Sequence, residues 1–207
     1  MIYIFGDSHR NFLTQSPPGC GVPVELDIFR SYSVGPGTAH NYYENRFPET
    51  LRLLEIIPKT NFIILNAGEI DCRMHIPGKW QEEGGDLLDF VERTVNNLMK
   101  CYLHLRNLGY NIITWGPHPT RKVELLGYTY YVSDQKTRNQ SCEMFNEVLQ
   151  YKSLLYNIPF ATLYYDIITS DYDVHDEYYS DSIHLNGLLW PKARKILGEI
   201  YDNHCDI

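Results

Sequence analysis

Three residues in this chain are of types that together can make an activated nucleophile. Ser8 stands at the end of a short apolar run, after Gly6-Asp7 and before His9; Asp181 and His184 stand three residues apart near the other end. A serine hydroxyl is a poor nucleophile at neutral pH and needs a base in contact with it. Histidine is the usual base, oriented in turn by a carboxylate. Donors must also face the oxygen on which negative charge develops. Each residue has a plainer reading too. Ser8 suits a helix N-cap after a strand, Asp181 suits a cap on the last helix, and His184 suits a satisfied core or surface histidine.

What brings residues 8, 181 and 184 together must be read from the elements between them. Short apolar runs at 2–5, 28–34, 62–65, 111–115 and 160–165 alternate with helical patterns. Such runs, each ending in a polar or glycine turn, suit a parallel sheet buried on both faces. Across 86–107, Val91, Val95, Leu98, Tyr102 and Leu105 fall on one helical face, and Gly109 lies just beyond. Met144, Val148, Tyr151 and Leu155 repeat the spacing, as do Ala193, Ile196, Leu197 and Ile200 behind Pro191. A shorter helix is expected over 48–57, stopped by Pro58. Alternating strands and helices predict a three-layer α/β/α sandwich of about five parallel strands, in one domain over 1–207.

In such sheets the working site lies at the carboxyl ends of the strands. Those ends carry chemistry here. They read Gly6-Asp7-Ser8-His9, Gly35-Pro36-Gly37-Thr38, Asn66 through Arg73, Gly116-Pro117-His118-Pro119, and an acidic, tyrosine-rich stretch leading to Asp181-Ser182-Ile183-His184-Leu185.

Bulk properties narrow the class. The 207 residues are 43% hydrophobic and 21% charged, ordinary for a globular chain able to bury its own core. The net charge of -8 argues against nucleic acid as a partner. The five cysteines are scattered and form no CxxC pair; Cys72 and His75 make only an isolated C-x-x-H. No basic stretch followed by a long apolar core opens the chain, and no apolar run approaches the about 20 residues a bilayer requires. A cytoplasmic protein without a membrane partner is expected; the sequence is silent on oligomeric state.

Gly6-Asp7-Ser8 after a first strand, with Asp181-x-x-His184 before a last helix, resembles the SGNH or GDSL hydrolases across nearly the whole chain. Arg10 stands where the second glycine of the α/β-hydrolase G-x-S-x-G elbow would be. The resemblance implies a flavodoxin-like sheet and esterase chemistry without a metal or organic cofactor. It implies Ser8 as nucleophile, His184 as base and Asp181 as its orienting acid. The Ser8 backbone N–H and that of Gly35 or Gly37 would meet the oxyanion. One block departs from the pattern. The family's G-x-N-D, whose asparagine donates to the oxyanion, reads Gly68-Glu69-Ile70-Asp71 here, and isoleucine cannot donate. Arg73 and Asn66 are the candidates to replace it, although Glu69, Asp71 and Arg73 also suit a structural ion network. The run GEIDCR resembles a subgroup seen beside sugar-modifying proteins.

The 17 tyrosines, several in expected loops at 42–43, 128, 130–131 and 178–179, together with Trp80 and Trp115, suit a platform for sugar rings or plain loop packing. His118 is a candidate substrate contact. The acidic stretch 171–181 lacks the ligand spacing of a calcium loop. The expected activity is hydrolysis of a small acyl ester, an O-acetyl group on a carbohydrate, with acyl transfer to a sugar hydroxyl or a catalytically weak glycan-binding protein as alternatives.

Overall fold

The computed structural model describes residues 1–13, 28–35, 37–122, 133–181 and 183–205. Strand β1 (Ile2–Gly6) lies between β2 (Phe29–Ser33) and β3 (Phe62–Asn66), parallel to both. On the far side of β3 comes β4 (Asn111–Ile112), also parallel. The same segment then changes partner. Ile113 donates to the Ile63 carbonyl, and Thr114 donates to that of Pro159, so β5 (Thr114–Trp115) pairs with β6 (Phe160–Ala161). The expected strand at 111–115 is therefore two short ladders meeting at Ile113, and the spatial order across the sheet is β2, β1, β3, β4/β5, β6. This is the flavodoxin-like order, with its switch point between β1 and β3.

Alternation along the strands explains the layers. Phe5, Ile63 and Leu65 face one core, and Ile2, Ile4, Phe62 and Ile64 face the other. Helices α1 (Tyr42–Asn45), α2 (Phe47–Leu54), α3 (Ile76–Glu83), α4 (Leu87–Asn107) and α5 (Gln135–Leu155) contribute to the first core. Helices α6 (Tyr164–Ile167) and α7 (Trp190–Cys205) contribute to the second. Both faces of the sheet are thus covered, as the near-continuous apolar strands require.

Two expectations are corrected. The strand at 160–165 ends at Ala161, because Thr162 Oγ1 accepts the Tyr164 N–H and starts a helical turn. Tyr164 is fully buried there, its hydroxyl donating to the Asn139 carbonyl at 2.9 Å. Helix α5 turns a different face inward from the one its apolar spacing suggests. Tyr151 and Leu155 are exposed, and the buried line runs through Asn139, Cys142, Phe145, Asn146, Leu149 and Ser153. By contrast, Val91, Val95, Leu98, Tyr102 and Leu105 of α4 are all buried, Asp86 caps its start, and Gly109 follows it at φ 90°.

Candidate active site

Strand β1 ends where no side chain fits. A Cβ on Gly6 would lie 2.6 Å from the Asn66 carbonyl oxygen of β3. The chain then enters a 3₁₀ helix, Ser8–Leu13; Asp7 just before it and His9 within it are buried, while Ser8 is exposed. Asp7 fixes the turn through its Oδ1, which accepts the His9 N–H at 2.9 Å, and its backbone carbonyl accepts from the Arg10 guanidinium. Burial raises the Asp7 carboxyl above its ordinary value.

The second part of the site comes from a small antiparallel turn just before α7. Tyr179 bridges to Leu185, and Ser180 and His184 are joined through the Ser180 N–H and the His184 carbonyl at 2.9 Å. Within that turn Asp181 Oδ1 accepts the backbone N–H groups of Ile183 and His184, both at 2.8 Å. Burial would raise the Asp181 carboxyl, but these two donors and the His184 ring hold it below its ordinary value. Its Oδ2 stands 2.7 Å from His184 Nδ1, and His184 Nε2 stands 2.8 Å from Ser8 Oγ. Ser8, His184 and Asp181 thus form one continuous hydrogen-bonded line.

Beneath this line lies a buried cluster built from the ends of β1, β3 and β5. Glu69 accepts from Arg73 Nε at 2.7 Å and faces His9 Nε2 at 2.9 Å. Burial would raise the Glu69 carboxyl, but His9 and Arg73 hold it well below the usual carboxylate range. His9 Nδ1 lies 3.2 Å from His118 Nε2, and His118 Nδ1 lies 2.9 Å from the Pro119 carbonyl. Burial and the neighbouring His9 push His118 down to about 4. The His9 ring also packs against that of His184, centroids 4.8 Å apart and planes tilted by 32°. Nearby, Asp71 is fully buried and accepts the backbone N–H groups of Ala39 at 2.5 Å and His40 at 3.2 Å. It thereby ties the β3 end to the turn that carries Gly35 and Gly37.

The remaining expected site residues fall as follows. Gly35 (φ 76°) and Gly37 form the turn after β2, packed on Arg46 and Tyr42. Gly68 (φ 116°) is packed against Phe145 and Pro117. Asn66 is buried, and its Nδ2 has neither a hydrogen-bond partner nor solvent access among the described residues. Arg73 is buried with its fork on Glu69. His118 is buried in the cluster and does not line an open surface. Of the expected aromatic platform, Tyr42, Trp115 and Tyr179 are core residues, and Tyr128, Tyr130 and Tyr131 lie outside the described residues.

The sequence placed His9 only beside the nucleophile and Glu69 in a structural ion network. The signal for more was an acid and a base next to apolar strand ends, where an unpaired charge is not tolerated. A cavity of about 240 Å³ lies elsewhere, lined among others by His40, His75, Lys79, Phe90 and Arg93; Ser8 is not among its lining residues. No helix among the described residues is long and apolar enough to cross a membrane.

No family model matches the chain, and no curated protein sequence matches it significantly. Solved structures do. A candidate acylhydrolase from Bacteroides fragilis superposes with a TM-score of 0.68 at 15% identity, over 98% of this chain and 86% of that one. A GDSL-like lipase from Bacteroides thetaiotaomicron gives 0.66 at 11% identity, over 98% and 88%. A psychrotrophic esterase from Pseudoalteromonas, in a structure inhibited by monoethylphosphonate, gives 0.53 at 15% identity, over 100% and 98%. The order of the strands, the helices on both faces and these superpositions agree: the chain has the fold of the SGNH/GDSL hydrolases.

Proposed function

We propose that this protein is a serine ester hydrolase working through an acyl-enzyme. The observation that carries the reading is the line from Ser8 Oγ to His184 Nε2 at 2.8 Å and from His184 Nδ1 to Asp181 Oδ2 at 2.7 Å. His184 takes the Ser8 proton as Oγ attacks the ester carbonyl, and Asp181 stabilises the imidazolium. The tetrahedral oxyanion is met by the backbone N–H of Ser8 and by that of Gly35 or Gly37. The alcohol leaves with the proton from His184. Water, deprotonated by His184, then attacks the acyl carbonyl and releases the acid and free Ser8. Arg73 and the Asn66 amide are sealed in the protein, so a substrate oxygen reaches neither in this arrangement. With Ile70 in the asparagine position the enzyme works with two donors, and the missing one lowers the rate by about 10²–10³.

Solvent exposure favours hydrolysis over transfer to a second alcohol. Ser8 is exposed and the Asp181 side chain is 52% exposed, so water has direct access to an acyl group on Oγ. The same openness supports a small acyl group on a bulky polar alcohol, such as an O-acetylated carbohydrate.

The test is reaction with a fluorophosphonate, read by intact mass. Displacement of fluoride by Ser8 Oγ adds one phosphonyl group, and Ser8→Ala abolishes the adduct. A folded protein that takes no adduct, or a Ser8→Ala variant that still takes it, removes the nucleophile assignment.

A further inference from the structure

In the buried cluster under Ser8, Glu69 touches His9 and not His118, which places the cluster's buried positive charge on His9, and with His118 neutral only one proton arrangement satisfies every contact. His118 Nδ1 faces a carbonyl oxygen and must donate to it. In neutral His118 the Nε2 is then an acceptor, so His9 Nδ1 must donate to it across 3.2 Å. His9 Nε2 faces the Glu69 carboxylate at 2.9 Å and must donate as well. Both ring nitrogens of His9 carry protons.

Resting on the reading of Ser8 and His184 as nucleophile and base, we propose that His9 is a positioning residue. Its buried imidazolium, clamped between Glu69 and His118, is the inner wall against which the His184 ring packs at 4.8 Å between centroids, and it keeps Nε2 on Ser8.

The two sides of His184 differ sharply. On the outer side Asp181 is 52% exposed, and an ion pair so wet is worth little as a hinge. On the inner side the His9 side chain is only 5% exposed and every polar atom of its ring is engaged. The groups facing His9 come from all sides: Asp7 from its own turn, Glu69 and Arg73 from the segment after β3, His118 from the segment after β5, and His184 from the turn before α7. A bare cation there would oppose proton uptake by His184. Glu69 neutralises it at 2.9 Å, and Arg73 holds Glu69 in place with Nε at 2.7 Å and Nη2 at 3.2 Å. Burial alone would lower His9, but the Glu69 carboxylate outweighs it and raises the group above 6.5.

Ring-nitrogen NMR on the full-length protein tests the clamp without any substrate. His9 should titrate with a midpoint above 6.5, while His118 stays neutral with its proton on Nδ1. A neutral His9 at that pH, or a protonated His118, overturns the proposal. The positioning role is read from fluorophosphonate kinetics on His9→Gln and Glu69→Gln, with folding checked by circular dichroism. Either folded variant should lose about 10–100-fold in kinact with little change in KI, the signature of a displaced reacting atom. An unchanged kinact in folded His9→Gln, with the unaltered protein labelled, overturns the positioning role alone. No label on the unaltered protein overturns the nucleophile reading and this role with it. Should His9→Gln fail to fold, Glu69→Gln and the NMR titration still decide.

Discussion

Asp181 grips His184 at two points, its Oδ2 at 2.7 Å from the ring Nδ1 and its Oδ1 at 2.8 Å from the backbone N. The two contacts do different work, and two substitutions separate them. Asp181→Asn keeps an oxygen for the backbone N–H groups but turns an amide N–H toward Nδ1. The ring must then carry its proton on Nε2, where it cannot accept from Ser8. Ester cleavage should fall about 10²–10⁴-fold, with the turn intact. Asp181→Ala removes the backbone contacts as well and should lower the melting temperature further. Comparable activity in Asp181→Asn and the unaltered protein, measured with an aryl ester, would mean that Asp181 only shapes the turn.

Gly6 is the point where the nucleophile's position is set by packing. An added Cβ would meet the Asn66 carbonyl at 2.6 Å, and backbone there has no room to give. Gly6→Ala should therefore wedge β1 from β3 two residues before Ser8. The expected cost is about 1–3 kcal/mol in urea unfolding, as for other overpacked sites. The rate of fluorophosphonate labelling should fall with it. A variant as stable and as reactive as the parent would show that the ends of β1 and β3 are not rigidly coupled.

Much of this architecture was legible because hydrophobicity and burial coincide in it. The α4 stripe from Val91 to Leu105 and the strands at β1 and β3 are apolar where they are buried. The Asp181 and His184 pair was legible because its spacing is local. Helix α5 was misread because its inward face is partly polar. Asn139, Asn146 and Ser153 are buried to hold strand ends and loops, while Tyr151 and Leu155 are left outside. The tyrosine-rich loops misled for a related reason, since Tyr42 and Tyr179 are core residues whose hydroxyls find Thr50 and the Pro119 carbonyl. The roles of His9 and Glu69 depend on contacts between residues 60 or more apart in the chain, and no local pattern carries them.

Stability should fall as the pH rises above about 6.5. Buried groups of opposite sign set the profile: His9 and Asp71 favour the acidic side, while Glu69 and His118, the latter held down at about 4 by burial and His9, oppose it, His118 costing stability as pH falls from about 6.5 to about 4. Burial would raise Glu69, but His9 and Arg73 hold it below 4.5; its stabilisation is complete above that value and is lost as pH falls through the lower folded value. His9 is raised above 6.5, so its stabilisation is complete below 6.5 and is lost as pH rises through the folded value. Burial pushes Asp71 up to about 7 from 3.8, against two backbone donors that favour the carboxylate. The folded state keeps that proton where the unfolded chain releases it, so this contribution also fades as pH rises from about 4 to about 7. Urea midpoints across this range should peak on the acidic side of neutrality. Asp71→Asn should uncover the opposing His118 contribution, so that midpoints climb between about 4 and 6.5. Midpoints that climb steadily from pH 5 to about 8 would contradict these assignments.

Asn146 and Gly116 should be energetically coupled, because they occupy one space. Asn146 Nδ2 donates to the carbonyls of Pro117 at 2.9 Å and Cys142 at 2.8 Å, and its Oδ1 accepts from Thr162 Oγ1 at 2.6 Å. It thus fixes the segment that delivers His118 to the cluster under Ser8. Asn146→Ala leaves the buried Pro117 carbonyl with only the weak Cys142 Sγ donor, Thr162 Oγ1 without its acceptor, and a small cavity, at an expected cost of about 2–4 kcal/mol. Gly116→Ala would place a Cβ 1.8 Å from Asn146 Oδ1 and should be at least as costly alone. In the double variant the clashing oxygen is gone, and only Thr162 Oγ1 at 3.0 Å still crowds the new methyl group. The double variant should therefore be more stable than the two single costs predict, by about 1–3 kcal/mol. Strictly additive costs in the urea cycle would mean that the segment moves away from α5 when Gly116 is enlarged, and His118 would then lose its fixed place beside His9.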